Sequence, residues 1–314
     1  MNRELEEALQ IRYVKLHFTI AFVQDTTLPR YKVSALRGGM GEMLLRANCV
    51  RDRKCENCDF VSECVVQRTM YSEFEKKPNF VTSGKSVGYV IECNNYKENF
   101  LKGDTMEFQL ILFGKNIVYF NSYLQAFHAL GMQGLGKNQS RFQIVNIRNS
   151  YKQPILDGND IFMERYEIHR IADYVKYRMK KMQKKVDRYE LTFYSPLSMK
   201  YQGEPLAEFN MEAIIRALKR RIYMLDCFEG IDGEAAFALE FKVPQIRQQL
   251  IKKTEVRRFS ARKEQAMYLS GIYGSVELEE ELEFPQDVLA LLLAGELTHL
   301  GSNTSFGFGE YIVK

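Results

Sequence analysis

The sequence predicts an α+β protein made of one β-α-β-β-α-β unit used twice, the first copy carrying a cysteine-rich insertion. Three observations lead there. The apolar period moves between two and 3.6 residues in the same order in each half of the chain. Each half closes with a helix, a glycine-rich loop and a strand. Four cysteines crowd between positions 49 and 64.

Residues 13–22 alternate: Val14, Leu16, Phe18, Ile20 and Phe22 on one side, Lys15, His17 and Thr19 on the other. That pattern is a half-buried strand. Residues 34–47 read as a helix, with Ser34 as N-cap and Met40, Met43 and Leu44 on its apolar stripe. Gly38, Gly39 and Gly41 weaken such a helix by up to ~1 kcal/mol each relative to alanine. Something is therefore expected to pass very close to them. Residues 88–93 and 106–114 read as strands, and 116–130 as a helix with Ile117, Phe120, Leu124 and Phe127 on one face. Residues 131–137 form a glycine-rich loop that includes Lys137, and 141–147 a closing strand. In order this is the ferredoxin-like, or RRM-like, βαββαβ unit.

The insertion holds Cys49, Cys55, Cys58 and Cys64, separated by five, two and five residues. A C-x2-C knuckle offers two thiolates to a metal, and the flanking cysteines complete a tetrahedral set. Zinc and an iron–sulfur cluster both accept four thiolates, so spacing leaves that choice open. Four buried, unmetallated cysteines are the plainer alternative. The charged residues among them, Arg51 to Lys54, Glu56 and Asp59, fit a hydrophobic core poorly. Four protein ligands leave no open position, so the expected role is structural.

The second half repeats the plan. Residues 191–200 read as a strand, 209–225 as an amphipathic helix, 237–243 and 265–279 as strands, 285–296 as a helix and 311–313 as the closing strand. The domains expected are 1–170, a basic linker 171–188 with seven Lys or Arg from Val175 onward, and 189–314. Taken alone, a charge run is a solvated face.

The last loop, 301–309, holds Gly301, Gly307 and Gly309 among Ser302, Asn303, Thr304 and Ser305. Glycines let backbone N–H groups approach an anion, and the short side chains add donors, so a phosphate is the expected ligand. A tight helix-to-strand turn is the alternative. The chain has 314 residues, 46% hydrophobic and 27% charged, and a formal charge of +4, so any nucleic-acid site is a local patch. The N-terminus lacks a secretory pattern and no apolar run is long enough to span a membrane, which predicts a cytoplasmic protein.

The segment 34–39 followed by four cysteines, the strand at 191–197, the run 257–278 and the HLGSNTSFGFGEY of the C-terminus together resemble one family. It is the CRISPR repeat-processing endoribonucleases of the repeat-associated mysterious protein (RAMP) superfamily, in the branch with a four-cysteine cluster. The resemblance implies tandem ferredoxin-like domains with RNA held between them. It implies cleavage within each repeat by attack of a ribose 2′-OH, with no metal in the chemistry. That reaction needs a base, an acid and donors for the phosphorane charge, and only RNA carries the 2′-OH.

The family often places a histidine near the first helix, and residues 34–47 contain none. Of His17, His128, His169 and His299, the last adjoins the glycine loop and is the first choice for catalysis. A histidine-free site using Arg37, Tyr31 or a lysine is the alternative. RNA is expected on Gly301, Ser302, Asn303, Thr304, Ser305, Gly307, Gly309, Arg257, Arg258, Arg262, Lys263 and Lys137. Partners implied are CRISPR repeat RNA, other CRISPR effector subunits and a second copy of the chain, with no membrane. The competing readings are a non-catalytic guide-RNA-binding subunit of an effector complex and a metal-stabilised scaffold.

Overall fold

Helix α1 (Arg3–Ala8) and strand β1 (Arg12–Phe22) open the chain. In β1, Val14, Leu16, Phe18, Ile20 and Phe22 are all buried, as the alternation requires. The protein is described from a computed structural model covering residues 1–71, 74, 77–81, 87–182, 188–260, 265–279 and 284–314, the side chains at 258–260 and 265–266 aside. The chain divides into two compact units. The first is Tyr13–Ile168 with Arg258–Gln265; the second is Met1–Arg12, His169–Arg257 and Ala266–Lys314.

In the first unit β1 is followed by α2 (Val33–Asn48), α3 (Val65–Met70), β2 (Tyr89–Glu92), β3 (Thr105–Phe113), α4 (Phe120–Gln133) and β4 (Phe142–Arg148). The sheet order is β2-β3-β1-β4 with every pair antiparallel, continued past β4 by two short strands. Phe18 and Phe108 lie opposite each other in register, their rings 4.8 Å apart and within 12° of parallel, and Phe127 of α4 packs 4.9 Å from Phe108. Such aromatic pairs add about 0.5–1.5 kcal/mol beyond the area they bury. A Cβ on Gly39 would lie 2.4 Å from Leu130 of α4, and one on Gly41 would lie 2.8 Å from Met70 of α3. The expected close approach holds at these two glycines, whereas Gly38 faces open space. The N-cap of α2 is Lys32, not Ser34, and no side chain caps it.

The second unit adds α5 (Ile171–Met182), β5 (Glu190–Leu197), α6 (Met211–Glu229), α7 (Glu234–Ala238), β6 (Ile246–Ser260), β7 (Gln265–Leu278), α8 (Gln286–Thr298) and β8 (Tyr311–Val313). The order is β6-β7-β5-β8, the same pattern as in the first unit. Residues 237–243, expected as a strand, are the end of α7 and an extended segment packed on α6. Phe237 stacks on Tyr223 at 4.7 Å, and Lys219 donates to the carbonyl of Leu239. The second strand is instead β6.

The expected linker is different too. Helix α5 buries Ile171, Ala172, Val175 and Met182 in this unit, and its first N–H groups bond the carbonyls of Ile11 and Leu9. Two of its cations are paired, Arg178 with Glu296 and Lys176 with Glu6. Residues 183–187 lie outside the described residues.

Every residue of α8 from Val288 to Thr298 is buried, as suits a helix apolar all round. Gly295 makes room for Tyr311, whose hydroxyl a Cβ would meet at 2.0 Å. That hydroxyl donates to the carbonyl of Leu292 at 2.6 Å. No described helix is long and apolar enough to cross a membrane.

Among the described residues, buried Asp226 on α6 finds no hydrogen-bond partner for either carboxyl oxygen. Burial, reinforced by Glu229, pushes its pKa up to about 9. The folded state therefore holds a proton that the unfolded chain releases near pH 4. Stability is greatest below that point and falls as the pH rises toward 9. Asp226→Asn mimics the protonated form, so it is expected to flatten this fall and raise the melting temperature most at pH 8. A parallel pH dependence in the two proteins would refute the assignment.

Candidate nucleic-acid interface

The glycine loop grows directly from the end of α8. His299 sits at its C-cap with φ 58°, and its N–H bonds the carbonyl of Gly295 at 3.0 Å. The imidazole is fully buried, with Nδ1 3.1 Å from the carbonyl of Phe308. A carbonyl only accepts, so Nδ1 carries the hydrogen. This ring ties the start of the loop to its end and presents no surface to a ligand. The expectation of His299 as the proton-transfer group thus meets a buried ring bonded to the backbone, a geometry that fits holding the loop in shape.

The loop's own N–H groups are largely used internally. Ser302 donates to Ser198, Phe306 to Asn303, Gly307 to Thr304 and Gly309 to Pro196, at 2.7–2.9 Å. Four residues of the loop have positive φ: Gly301 at 83°, Asn303 at 62°, Gly307 at 76° and Gly309 at 73°. A Cβ on Gly309 would lie 1.8 Å from the carbonyl of Leu300, and one on Gly301 2.7 Å from that of Ser198. Thr304 and Ser305 are buried, so Ser302 is exposed while Gly301 and Asn303 are half-buried at the rim. The accessible donor edge is therefore narrower than the sequence suggested.

Behind the loop, Arg221 of α6 is almost wholly buried and donates from Nε to the carbonyl of Thr298 at 2.9 Å. Burial pushes its guanidinium down to about 9, which leaves it charged at neutral pH. It places positive charge against the carbonyl end of α8, where the helix dipole is negative. Sequence reading passed over Arg221 because it looks like one more outward cation on α6.

His299→Ala leaves the Phe308 carbonyl buried without its donor. It is expected to destabilise the second unit by about 1–3 kcal/mol. Thermal unfolding of the variant checks this, and an unchanged melting temperature would show that the ring does not hold the loop.

In the first unit the start of α2 gathers a second set of groups. Tyr31 is half-buried and meets Tyr96 edge-on at 5.8 Å, and Arg30 lies 5.7 Å over the same Tyr96 ring. Arg30 and Tyr96 are exposed. Lys32 is fully buried, its Nζ 2.8 Å from the carbonyl of Asn95, and burial lowers its pKa. Lys32 thereby fixes the segment from which Tyr31 projects, a role with no sequence signal. Arg37 lies in the early part of α2 and is half-buried. Tyr31 and Arg37 thus flank one helix start, while His299 belongs to the other unit. Of the remaining histidines, His17 is half-buried and pushed down in pKa by burial, His128 is exposed and His169 is half-buried.

Among the expected basic contacts, Arg257 is exposed near the far end of β6, and Lys137 is exposed in the turn after α4. In that turn a Cβ on Gly134 would lie 2.3 Å from Gln139 backbone atoms. The side chain of Arg258, and Arg262 and Lys263 entirely, lie outside the described residues.

The cysteine insertion leaves α2 at Cys49, whose N–H caps the helix on Leu45 at 2.8 Å, and enters α3 at Cys64, its N-cap. Cys55 and Cys58 close one 3₁₀ turn, with the Cys58 N–H 3.3 Å from the Cys55 carbonyl. All four are free thiols and all four line one cavity of about 330 Å³, with Leu45, Val61 and Val65. As placed, no three His, Cys, Asp or Glu side chains among the described residues stand close enough to grip a metal. The segment from Val50 to Glu63 buries no side chain. Ordering a backbone residue costs about 1–2 kcal/mol, and here no core offsets it.

Comparison with known proteins gives two family matches. Residues 9–171 match the AF_1859_N N-terminal domain, and residues 191–311 match CRISPR-associated endoribonuclease Cas6. An uncharacterized protein of Archaeoglobus fulgidus is 21% identical over 290 residues, covering 91% of this chain and 93% of that protein. The fold is similar to a partial Cas6-RT-Cas1–Cas2 complex, at TM-score 0.57 and 12% identity over 97% of this chain. It is also similar to a Cas6 product complex (TM-score 0.54, 13% identity, 96% of this chain and 100% of that one). A Cas6 mutant gives TM-score 0.51 and 14% identity over 97% of this chain and 99% of the other. The chain spans 46% and 29% of the matched chains in two Cas6-RT-Cas1–Cas2 complexes. At these identities the likeness is one of fold. The Tyr31–Arg37 region and the cysteines fall within the first family match, and His299 with the glycine loop within the second.

Proposed function

The chain belongs to the AF_1859_N family, and we propose that, with residues 191–311 matching CRISPR-associated endoribonuclease Cas6, it acts as a Cas6-type RAMP protein that binds CRISPR precursor RNA and cuts it within each repeat. The observation that carries this reading is the Cas6 endoribonuclease match over the segment that builds the glycine loop. In this reading the two βαββαβ units are tandem ferredoxin-like domains. The four cysteines between α2 and α3 are the feature that supports placing it in the cysteine-bearing branch.

The chemistry proposed is attack of the 2′-OH on the adjacent phosphate, leaving a 2′,3′-cyclic phosphate and a 5′-OH. The bond from phosphorus to the 5′-oxygen breaks, that oxygen takes up a proton, and the 2′-OH proton is lost. Arg37 stabilises the charge on the phosphorane oxygens. Tyr31 supplies a phenol at the same helix start, and Tyr96 and Arg30 offer faces on which a base can stack. Gly301, Ser302 and Asn303 form the accessible rim for a backbone phosphate, and buried His299 and Arg221 hold that rim in shape. No metal acts in this step.

The test is labelled CRISPR-repeat RNA incubated with the protein in EDTA. Cutting with cyclic-phosphate ends supports the nuclease. A gel shift with no cutting supports the alternative of a guide-RNA-binding subunit, which the burial of His299 and the lack of a histidine in 34–47 favour. Absence of both cutting and shift would reject both readings. Partners in this reading are the repeat RNA, other CRISPR effector subunits and a second copy of the chain, the last open to sedimentation.

Each phosphate contact contributes about −0.7 to the log–log salt slope on single-stranded RNA. Replacing Arg257 and Arg258 together with alanine is expected to reduce the slope by one to two contacts' worth. An unchanged slope would take both side chains off the RNA.

A further inference from the structure

We propose that Cys49, Cys55, Cys58 and Cys64 form a tetrathiolate metal centre that orders the segment between α2 and α3. The donors fit such a centre. All four are reduced, and all line the same cavity. Cys55 and Cys58 close a single 3₁₀ turn in the manner of a C-x2-C knuckle. The Arg53 N–H already points at the Cys49 sulfur, 3.2 Å away. A backbone N–H directed at sulfur is the kind of outer contact that stabilises a metal-bound thiolate.

The two ends of the segment are fixed independently of any metal. Cys49 caps a helix packed on α4, and α3 is held by buried Val66, Thr69 and Met70. The Thr69 carbonyl accepts both from the Tyr123 hydroxyl at 3.0 Å and from Asn116 Nδ2 at 3.2 Å. Between these anchors, Val50 to Glu63 has no core of its own, and the Cys55 side chain is exposed. Among the described residues the sulfurs are not gathered into a set of three or more around one point. The turns that carry Cys55 and its neighbours are exposed, so bringing the sulfurs together disturbs no buried side chain between Val50 and Glu63. In this situation metal binding and local folding are one event.

Zinc and an iron–sulfur cluster share the four-thiolate chemistry, and the experiment separates them. Full-length protein is purified anaerobically without chelator and analysed for zinc, iron and acid-labile sulfide. The expected result is about one zinc per chain, or iron with matching sulfide and visible absorption. Either outcome supports the centre. The double variant Cys55→Ser with Cys58→Ser should lose the metal, whereas Cys93→Ser should keep it. Because the double variant can fail to fold, chelator-stripped wild-type protein is also titrated with cobalt(II) under reducing conditions. Tetrahedral cobalt–thiolate absorption, displaced by zinc, with a rise in melting temperature, is expected. Wild-type protein that is metal-free as isolated, and that neither colours with cobalt(II) nor gains melting temperature with zinc, overturns the proposal. The readouts are independent of RNA cleavage, so the centre stands or falls apart from the nuclease reading.

Discussion

Glu296→Ala is expected to destabilise the second unit by about 3–5 kcal/mol, the range for removing one partner of a buried ion pair. Glu296 sits near the end of α8 with its carboxylate almost fully buried. One oxygen accepts from Arg178 Nη2 at 2.8 Å and from the Val313 N–H at 2.7 Å. The other accepts from Arg178 Nε at 2.9 Å and from the Tyr174 hydroxyl at 2.5 Å. Helix α5, helix α8 and strand β8 thus meet on one side chain. Burial alone would lower the Arg178 pKa, but the bonds to Glu296 outweigh it and raise it. Removing the carboxylate leaves that guanidinium buried without its counter-charge. Glu296→Gln keeps an acceptor and should cost less than alanine. Denaturant unfolding of both variants checks this, with the midpoint falling and the slope unchanged. A loss under about 1 kcal/mol for the alanine variant would show that water or another acceptor takes over.

Much of the fold was legible because burial writes itself into period. The alternation of β1, Phe120 and Phe127 of α4 and the inward Ile214, Leu218, Ile222 and Leu225 of α6 all became core. The closing helix, loop and strand fell where the glycines and leucines placed them. Strand β6 was not legible, because Arg247, Lys252, Lys253 and Arg257 leave it no apolar stripe and its pairing with β7 defines it. Helix α5 was mistaken for a linker because its charges dominate the composition, although Ile171, Val175 and Met182 are what dock it.

The site was less legible than the fold. Sequence adjacency of His299 to the loop carries no information about which way the ring turns, and it turns inward. The loop hydroxyls likewise looked like equivalent donors, yet Thr304 and Ser305 are buried and Ser302 is exposed. The distinction comes from the 3₁₀ turn at Thr304–Phe306, which folds that side of the loop under itself. Buried Lys32 and Arg221 had no signal at all, since both residue types are expected outside.

If the proposed cleavage runs at the start of α2, Arg37→Ala is expected to lower single-turnover cleavage of repeat RNA by roughly 10²–10³-fold, the usual loss when one donor to a developing oxyanion is removed. RNA affinity should change much less, because one phosphate contact among several is a small share of the binding. Arg37→Lys should recover part of the rate, as a point charge replaces the planar fork. Tyr31→Phe separates the two roles at this helix start. It keeps the edge contact with Tyr96 and removes only the hydroxyl, so a rate loss there reports proton transfer or hydrogen bonding and not packing. With no exposed histidine at this helix start, the rate between pH 5 and 8 should vary less than it would with an imidazole titrating near its ordinary pKa. A bell-shaped profile centred in that window, with Arg37→Ala at near wild-type rate, would move the chemistry away from α2 to one of the histidines. His17 and His169 would then be the next to substitute.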